Sequence, residues 1–139
     1  MNMRPSLHRA LYFGPALLIA IGIFVSSSMS SFGPLEGMPL LEYDKLIHGI
    51  LYGVLALALL FGLEKGFPRC PPPRSLIYAA LGSGLYGLTD EFHQMFVPNR
   101  HACWEDVAAN FVGATVAVLL ARGVLGWRVR LVDQREMDA

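Results

Sequence analysis

Three polar pairs at i,i+4 spacing stand out in this chain: Asp44/His48, Asp90/Gln94 and Asp106/Asn110. Residues four apart share one face of a helix. Carboxylates and an imidazole can pass protons or hold a cation, and the amides add directional hydrogen bonds. Much of the surrounding chain is apolar. Ionisable groups at membrane depth are costly, and they face a bundle interior, a cavity or a partner.

In a chemical reading, Asp90 or Glu91 is a general base, with His48 or His93 as its acid partner. Arg100 is a fork for a phosphate or carboxylate. Asp44, Lys45, Tyr52, Gln94, Asp106 and Asn110 complete a ligand-binding set around them. Simpler roles stand beside these. Asp44 and Asp106 fall where helices start and suit N-terminal caps. Asn110 suits an interhelical hydrogen bond. Tyr52, one turn from His48, suits packing, with its hydroxyl bonded to that histidine or a carbonyl. Arg100 suits an ion pair with Glu91 or Asp106. His101 reads as solvated, and Glu36, Glu42 and Glu105 as surface acids. Asp90 and Glu91 resist such readings, because the macrodipole disfavours negative charge in the last turns of a helix. The turn Pro98-Asn99 before Arg100 suits a left-handed residue, which asparagine tolerates.

The spacing shows no strong metal motif. Glu91 and His93 are two apart and point to different helix faces, so metal and cofactor remain open. No serine or cysteine stands in a nucleophile-and-base pattern. Cys70 and Cys103 fall in separate loops on opposite faces, too far apart for a disulfide.

The elements that position these residues follow from composition. The chain has 139 residues, 54% hydrophobic and 16% charged. A soluble domain carries about 25% charge, so the deficit points to a membrane. We read four apolar runs: Leu11–Met29, Lys45–Leu63, Leu76–Thr89 (continuing as helix through Phe96) and Val107–Leu125. Each approaches the roughly 20 residues of a membrane span. The expected fold is an all-α membrane protein, a four-transmembrane-helix bundle. Residues 1–10 form a cytoplasmic tail, 11–125 one bundle and 126–139 a second cytoplasmic tail that frays.

With the N-terminus cytoplasmic, Arg4, Arg9, Lys65, Arg69, Arg74, Arg122, Arg128, Arg130 and Arg135 are inner, and only Lys45 and Arg100 are outer. Nine against two is a positive-inside pattern, N-in and C-in, in a bacterial inner membrane. Seven acids, among them Asp44, Asp90, Glu91 and Asp106, lie outside. Trp104 and Trp127 bracket the last span as interfacial aromatics do. The first run followed by Ser26–Ser31 also has signal-peptide features, but its length favours a retained span. Cleavage would leave three spans with orientation unchanged.

Pro71-Pro72-Pro73 reads as an extended connector. Gly49/Gly53, Ala80/Gly84 and Ala109/Gly113/Ala117 place small residues four apart, which lets helices approach closely in lipid. At about 1.5 Å per residue, His48 lies about 6 Å deeper than Asp44. This predicts a deep layer of His48, Asp90 and Asn110. Asp44, Asp106 and either Gln94 or His93 form a shallow one.

Asp44-Lys45-x-x-His48-x-x-x-Tyr52, Asp90-Glu91-x-x-Gln94-x-Phe96-x-Pro98-x-Arg100 and Asp106-x-x-x-Asn110-x-x-Gly113 together resemble the VanZ-like family of small bacterial membrane proteins. The resemblance covers residues 44–113. The three blocks are specific in combination and weak singly. The family usually has glycine where Asn99 and Ala117 stand here. The resemblance implies a cell-envelope role. The family's namesake is associated with lowered susceptibility to teicoplanin, a property that does not transfer to this chain by resemblance alone.

Three functions are compatible with these residues. One is an outward-facing polar pocket that binds or handles a lipid-linked or glycopeptide-type envelope ligand. Another is a membrane-embedded acid–base enzyme, with or without a metal, acting on a lipid head group. The third is a polar network that only fixes helix register. Membrane lipids are expected partners. The scattered basic residues give no support for nucleic-acid binding, and the oligomeric state is not encoded in any visible pattern.

Overall fold

The structure, a computed structural model, describes residues 5–30, 44–100 and 102–137, and the side chains of 8–30, 45–100 and 102–124. These residues form five helices and no strand: α1 (Pro5–Leu11), α2 (Gly14–Ser27), α3 (Asp44–Gly66), α4 (Pro72–Gln94) and α5 (Trp104–Met137).

Proline explains where two helices begin. The run expected as one helix from Leu11 to Met29 is broken at Tyr12–Phe13. In a continuous helix the Pro15 ring would strike the carbonyl of Leu11, so α1 stops there and α2 restarts with its proline in the first turn. The triple proline is only partly the extended connector expected. Pro71 is extended (φ −59°, ψ 141°), but Pro72 and Pro73 open α4, where a missing N–H costs nothing.

The ends of α4 and α5 also differ from expectation. α4 stops at Gln94 rather than Phe96, because the next amides reach back only three residues, Phe96 to His93 and Val97 to Gln94. The residue before Pro98 disfavours helix. α5 continues to Met137 through the tail expected to fray. Trp127 lies outside the described side chains.

The helices are inside-out relative to a soluble bundle. Leu46, Ile50, Val54, Leu57 and Phe61 form an exposed apolar stripe along α3. Ile77, Leu81, Leu85, Leu88 and Phe92 do so on α4, and Val112, Val116, Leu119, Leu120 and Val124 on α5. Ser75, Ser83, Asp90, Glu91, Gln94, Asp106 and Asn110 are buried instead. Small and polar residues at the interface with large apolar ones outside is the arrangement lipid favours.

Two helices, Lys45–Gly66 and Trp104–Val124, are long and apolar enough to cross a membrane. Only 33% and 17% of their most apolar stretches are buried, too little for core helices of a soluble protein. α4 has 23 residues but carries the polar side chains. α2 has 14 residues, about 21 Å at 1.5 Å per residue, against a hydrocarbon core of about 30 Å.

The small residues set the packing. Gly49 and Gly53 of α3 face Ala109, Gly113 and Ala117 of α5. A Cβ on Gly113 would overlap the Gly49 carbonyl, so only glycine permits this approach. Gly84 lies under the Phe111 ring. At one end of the bundle, Ala56, Leu60, Ala79, Ala114 and Val118 close an apolar core. α2 joins through Ala16 and Ile23, which pack with Tyr52 and Leu55, and through the Tyr86 hydroxyl, which donates to the Ala20 carbonyl at 2.7 Å.

Candidate functional site

The end of the bundle opposite the apolar core gathers charge from three helices. α3 supplies Lys45, His48 and Tyr52; α4 supplies Asp90, Glu91 and Gln94; α5 supplies Asp106 and Asn110. Tyr52, Asp90, Glu91, Gln94, Asp106 and Asn110 are all at most 5% exposed.

Two groups of contacts form. In one, the Tyr52 hydroxyl donates to Asp90 Oδ2 at 2.9 Å, and Gln94 Nε2 donates to the same oxygen at 3.1 Å. Ser83 Oγ donates to the Tyr52 carbonyl at 2.7 Å and fixes α3 against α4 beneath them. In the other, His48 Nδ1 lies 3.2 Å from Asn110 Oδ1 and 3.6 Å from Glu91 Oε1. Lys45 Nζ pairs with Asp106 Oδ1 at 3.5 Å.

Glu91 Oε2 accepts the backbone N–H of Cys103 at 3.1 Å. Cys103 directly precedes α5, so this carboxylate sits at the positive end of that helix dipole. The acid that lacks compensation on its own helix finds it on another. Among the described residues the opposite Glu91 oxygen, Oε1, is buried without a hydrogen-bond partner, as are Asp90 Oδ1 and Asn110 Nδ2. Each such atom costs about 1–3 kcal/mol.

The structure therefore joins His48, Tyr52, Asp90, Glu91, Gln94, Asp106 and Asn110, with Lys45 at the rim. The predicted deep layer is only partly seen: His48 meets Asn110, while Asp90 turns to Tyr52 and Gln94. Tyr52 bonds neither the histidine nor a carbonyl through its hydroxyl; it bonds Asp90.

His93 does not reach the cluster. It sits on the α2 side, with Nε2 3.0 Å from Ser28 Oγ and its ring 4.7 Å from that of Phe24. Two residues from Glu91, it falls on a different face of α4 from that acid and packs against α2 instead. Arg100 pairs with neither Glu91 nor Asp106; it donates to the Met29 carbonyl at 3.1 Å and the Ser26 carbonyl at 3.2 Å at the end of α2. Asn99 before it adopts φ 62°, the left-handed turn expected. Asp106 is held by Lys45 rather than serving only as a cap. Asp44 opens α3, but its side chain, like all of His101, lies outside the described residues.

A set of possible metal ligands is present, although not the pair considered from sequence. His48, Glu91 and Asp106 each bring one ligand atom within 4.8 Å of the others. A cavity of about 60 Å³ beside the cluster is lined by Ser26, Ser27, His48, Tyr52, Asp90, Gln94 and Arg100. At that volume it admits only a small group, and Ile23, Ile47 and Leu51 make part of its wall apolar. A larger groove of about 290 Å³ runs between α4 and α5, lined by Leu88, Phe92, Met95, Trp104 and Val107, with Glu91 as its acid. At its rim the Cys103 thiol donates to the Glu105 carboxylate, which raises the thiol pKa.

Sequence reasoning missed several positioning residues. A Cβ on Gly87 would come within 2.7 Å of Asn110 Nδ2, so this glycine makes room for the amide. Ser83 and Gly87 are four apart, a small-residue spacing that could have signalled both. Ser26 and Ser28 tie the end of α2 to Arg100 and His93. No sequence signal foretold the Cys103 amide as a partner of Glu91.

Residues 9–126 match the VanZ/LLP1 family, and the chain belongs to it. The match takes in α2, α3 and α4 whole and α5 as far as residue 126. Together with the two apolar helices, it marks the chain as a membrane protein. No curated protein and no solved structure matches the chain.

Proposed function

We propose that this chain is a multi-pass protein of the bacterial inner membrane with four spans and both termini in the cytoplasm. Its polar cluster opens to the outer face and binds the polar head of a lipid-linked or glycopeptide-type envelope ligand. In this reading the first span is the run 11–29, built around α2, and α3, α4 and α5 supply the other three. The nine-against-two distribution of Lys and Arg supports the orientation. Family membership supports the envelope role.

The observation that carries the binding reading is the set of buried atoms that have no hydrogen-bond partner among the described residues: Asp90 Oδ1, Asn110 Nδ2 and Glu91 Oε1, the last with the His48 ring nearby at 3.6 Å. Interhelical polar bonds in membranes stabilise by roughly 0.6–2 kcal/mol each. Orphaned buried atoms cost as much or more. A network kept only for register has no reason to leave three of them at one end. A bound head group would satisfy them.

A second reading, a membrane-embedded enzyme acting on a lipid head group, is favoured by one contact. His48 and Glu91, 3.6 Å apart, form an acid–base pair, and Glu91 also borders the groove between α4 and α5. A lipid lying in that groove would bring its head group to the pair.

Native mass spectrometry of the detergent-purified chain, beside Asp90→Asn, tests the binding reading. A lipid or lipid-linked species retained by wild type and lost in the variant is expected. A bare polypeptide in both would contradict it. Turnover of the retained species would favour the enzyme. Thiol labelling of intact cells tests the orientation, with Cys103 labelled from outside and Cys70 not. The reaction needs a more alkaline pH than an ordinary thiol, because Glu105 raises the Cys103 pKa. Cys103 reached only from inside would overturn the orientation.

A further inference from the structure

We propose that His48, Glu91 and Asp106 form a site for one divalent metal ion of the manganese–zinc class, with the side-chain carbonyl of Asn110 at its edge. The three ligand atoms come from α3, α4 and α5 and lie within 4.8 Å of one another. Metal–ligand bonds of about 2.0–2.2 Å place neighbouring ligands roughly 3.0–3.6 Å apart in tetrahedral or octahedral sites. His48 Nδ1 is 3.6 Å from Glu91 Oε1 and 3.2 Å from Asn110 Oδ1.

The orientation of Glu91 is a separate sign of a ligand. The residue is 3% exposed, its Oε2 is anchored by the Cys103 amide, and its Oε1, on the side of His48, has no hydrogen-bond partner among the described residues. Anchoring one oxygen while presenting the other is how outer contacts orient metal-binding carboxylates. A divalent cation would also neutralise the charges of Glu91 and Asp106, which the helix dipole and Lys45 offset only in part.

The donor set selects the ion. One imidazole and two carboxylates, without a thiolate, suit manganese or zinc and not monovalent copper. The Cys103 sulfur turns to Glu105 instead. Lys45 is the competitor. Its ammonium occupies one side of Asp106 at 3.5 Å, but its side chain is 59% exposed and free to swing toward solvent.

The test is a Mn²⁺ titration of the full-length, chelator-treated protein in detergent, read by electron paramagnetic resonance with no lipid added. Wild type is expected to bind one Mn²⁺ per chain, displaced by Zn²⁺. Glu91→Gln and His48→Gln each weaken binding at least tenfold while eluting as wild type in gel filtration. Lys45→Met tightens it several-fold by releasing Asp106. Glu64→Gln, at the far end of α3, leaves it unchanged. No Mn²⁺ on wild type, or wild-type affinity in both ligand variants, overturns the site. The ion is read on the protein alone, so its loss and the loss of head-group binding are separate outcomes.

Discussion

The two ends of the bundle are built on opposite terms. At the apolar end Ala56, Leu60, Ala79, Ala114 and Val118 pack without a polar atom to satisfy, and Ser75 in the same region bonds its own helix at the Pro72 carbonyl. At the other end Asp90, Glu91, Asp106 and Asn110 are buried just as deeply, with three atoms that lack a hydrogen-bond partner among the described residues. One end is made for stability. The other accepts a cost that stability alone does not explain, as expected where a site is grafted onto a scaffold.

If so, enlarging a residue at the apolar end should do the greatest damage. Ala114 is fully buried. Ala114→Leu is expected to lose about 3 kcal/mol, at the upper end of overpacking effects, and to lower the thermal midpoint in detergent sharply. A neutral result would mean that this end is looser than its packing indicates. At the polar end, Tyr52→Phe removes one bond to Asp90 and keeps the ring. A loss of about 1 kcal/mol is expected in the same melt, together with weaker retention of the proposed envelope ligand, since Asp90 is then less firmly held. Loss of stability with unchanged retention would separate Asp90 from the site.

Much of this contrast was legible in the sequence. The pairs Asp90/Gln94 and Asp106/Asn110 identified the polar faces of α4 and α5, His48 marked that of α3, and the small residues around Gly49, Gly53 and Gly113 identified the seam between α3 and α5. Asn99 announced its left-handed turn. What could not be read was direction across helices. Whether His48 or His93 would meet the acids depended on how α4 is rotated, and a rotation is set by packing partners such as Gly84 and Gly87 rather than by the charged residues. The contacts of Arg100 were hidden for a related reason. Among the described residues its side chain donates to backbone carbonyls at the end of α2, which carry no sequence signature. The compensation of Glu91 by the start of α5 is likewise tertiary.

The most direct test is the thermal midpoint of Asp90→Asn and Glu91→Gln beside wild type, in detergent with chelator present. Each variant keeps the shape of the side chain and removes a buried charge. If the polar end is held for a ligand at the expense of stability, both midpoints should hold or rise by a few degrees while ligand retention falls. If both midpoints fall and retention is unchanged, the two acids are structural glue, and the account given for this end of the molecule is contradicted.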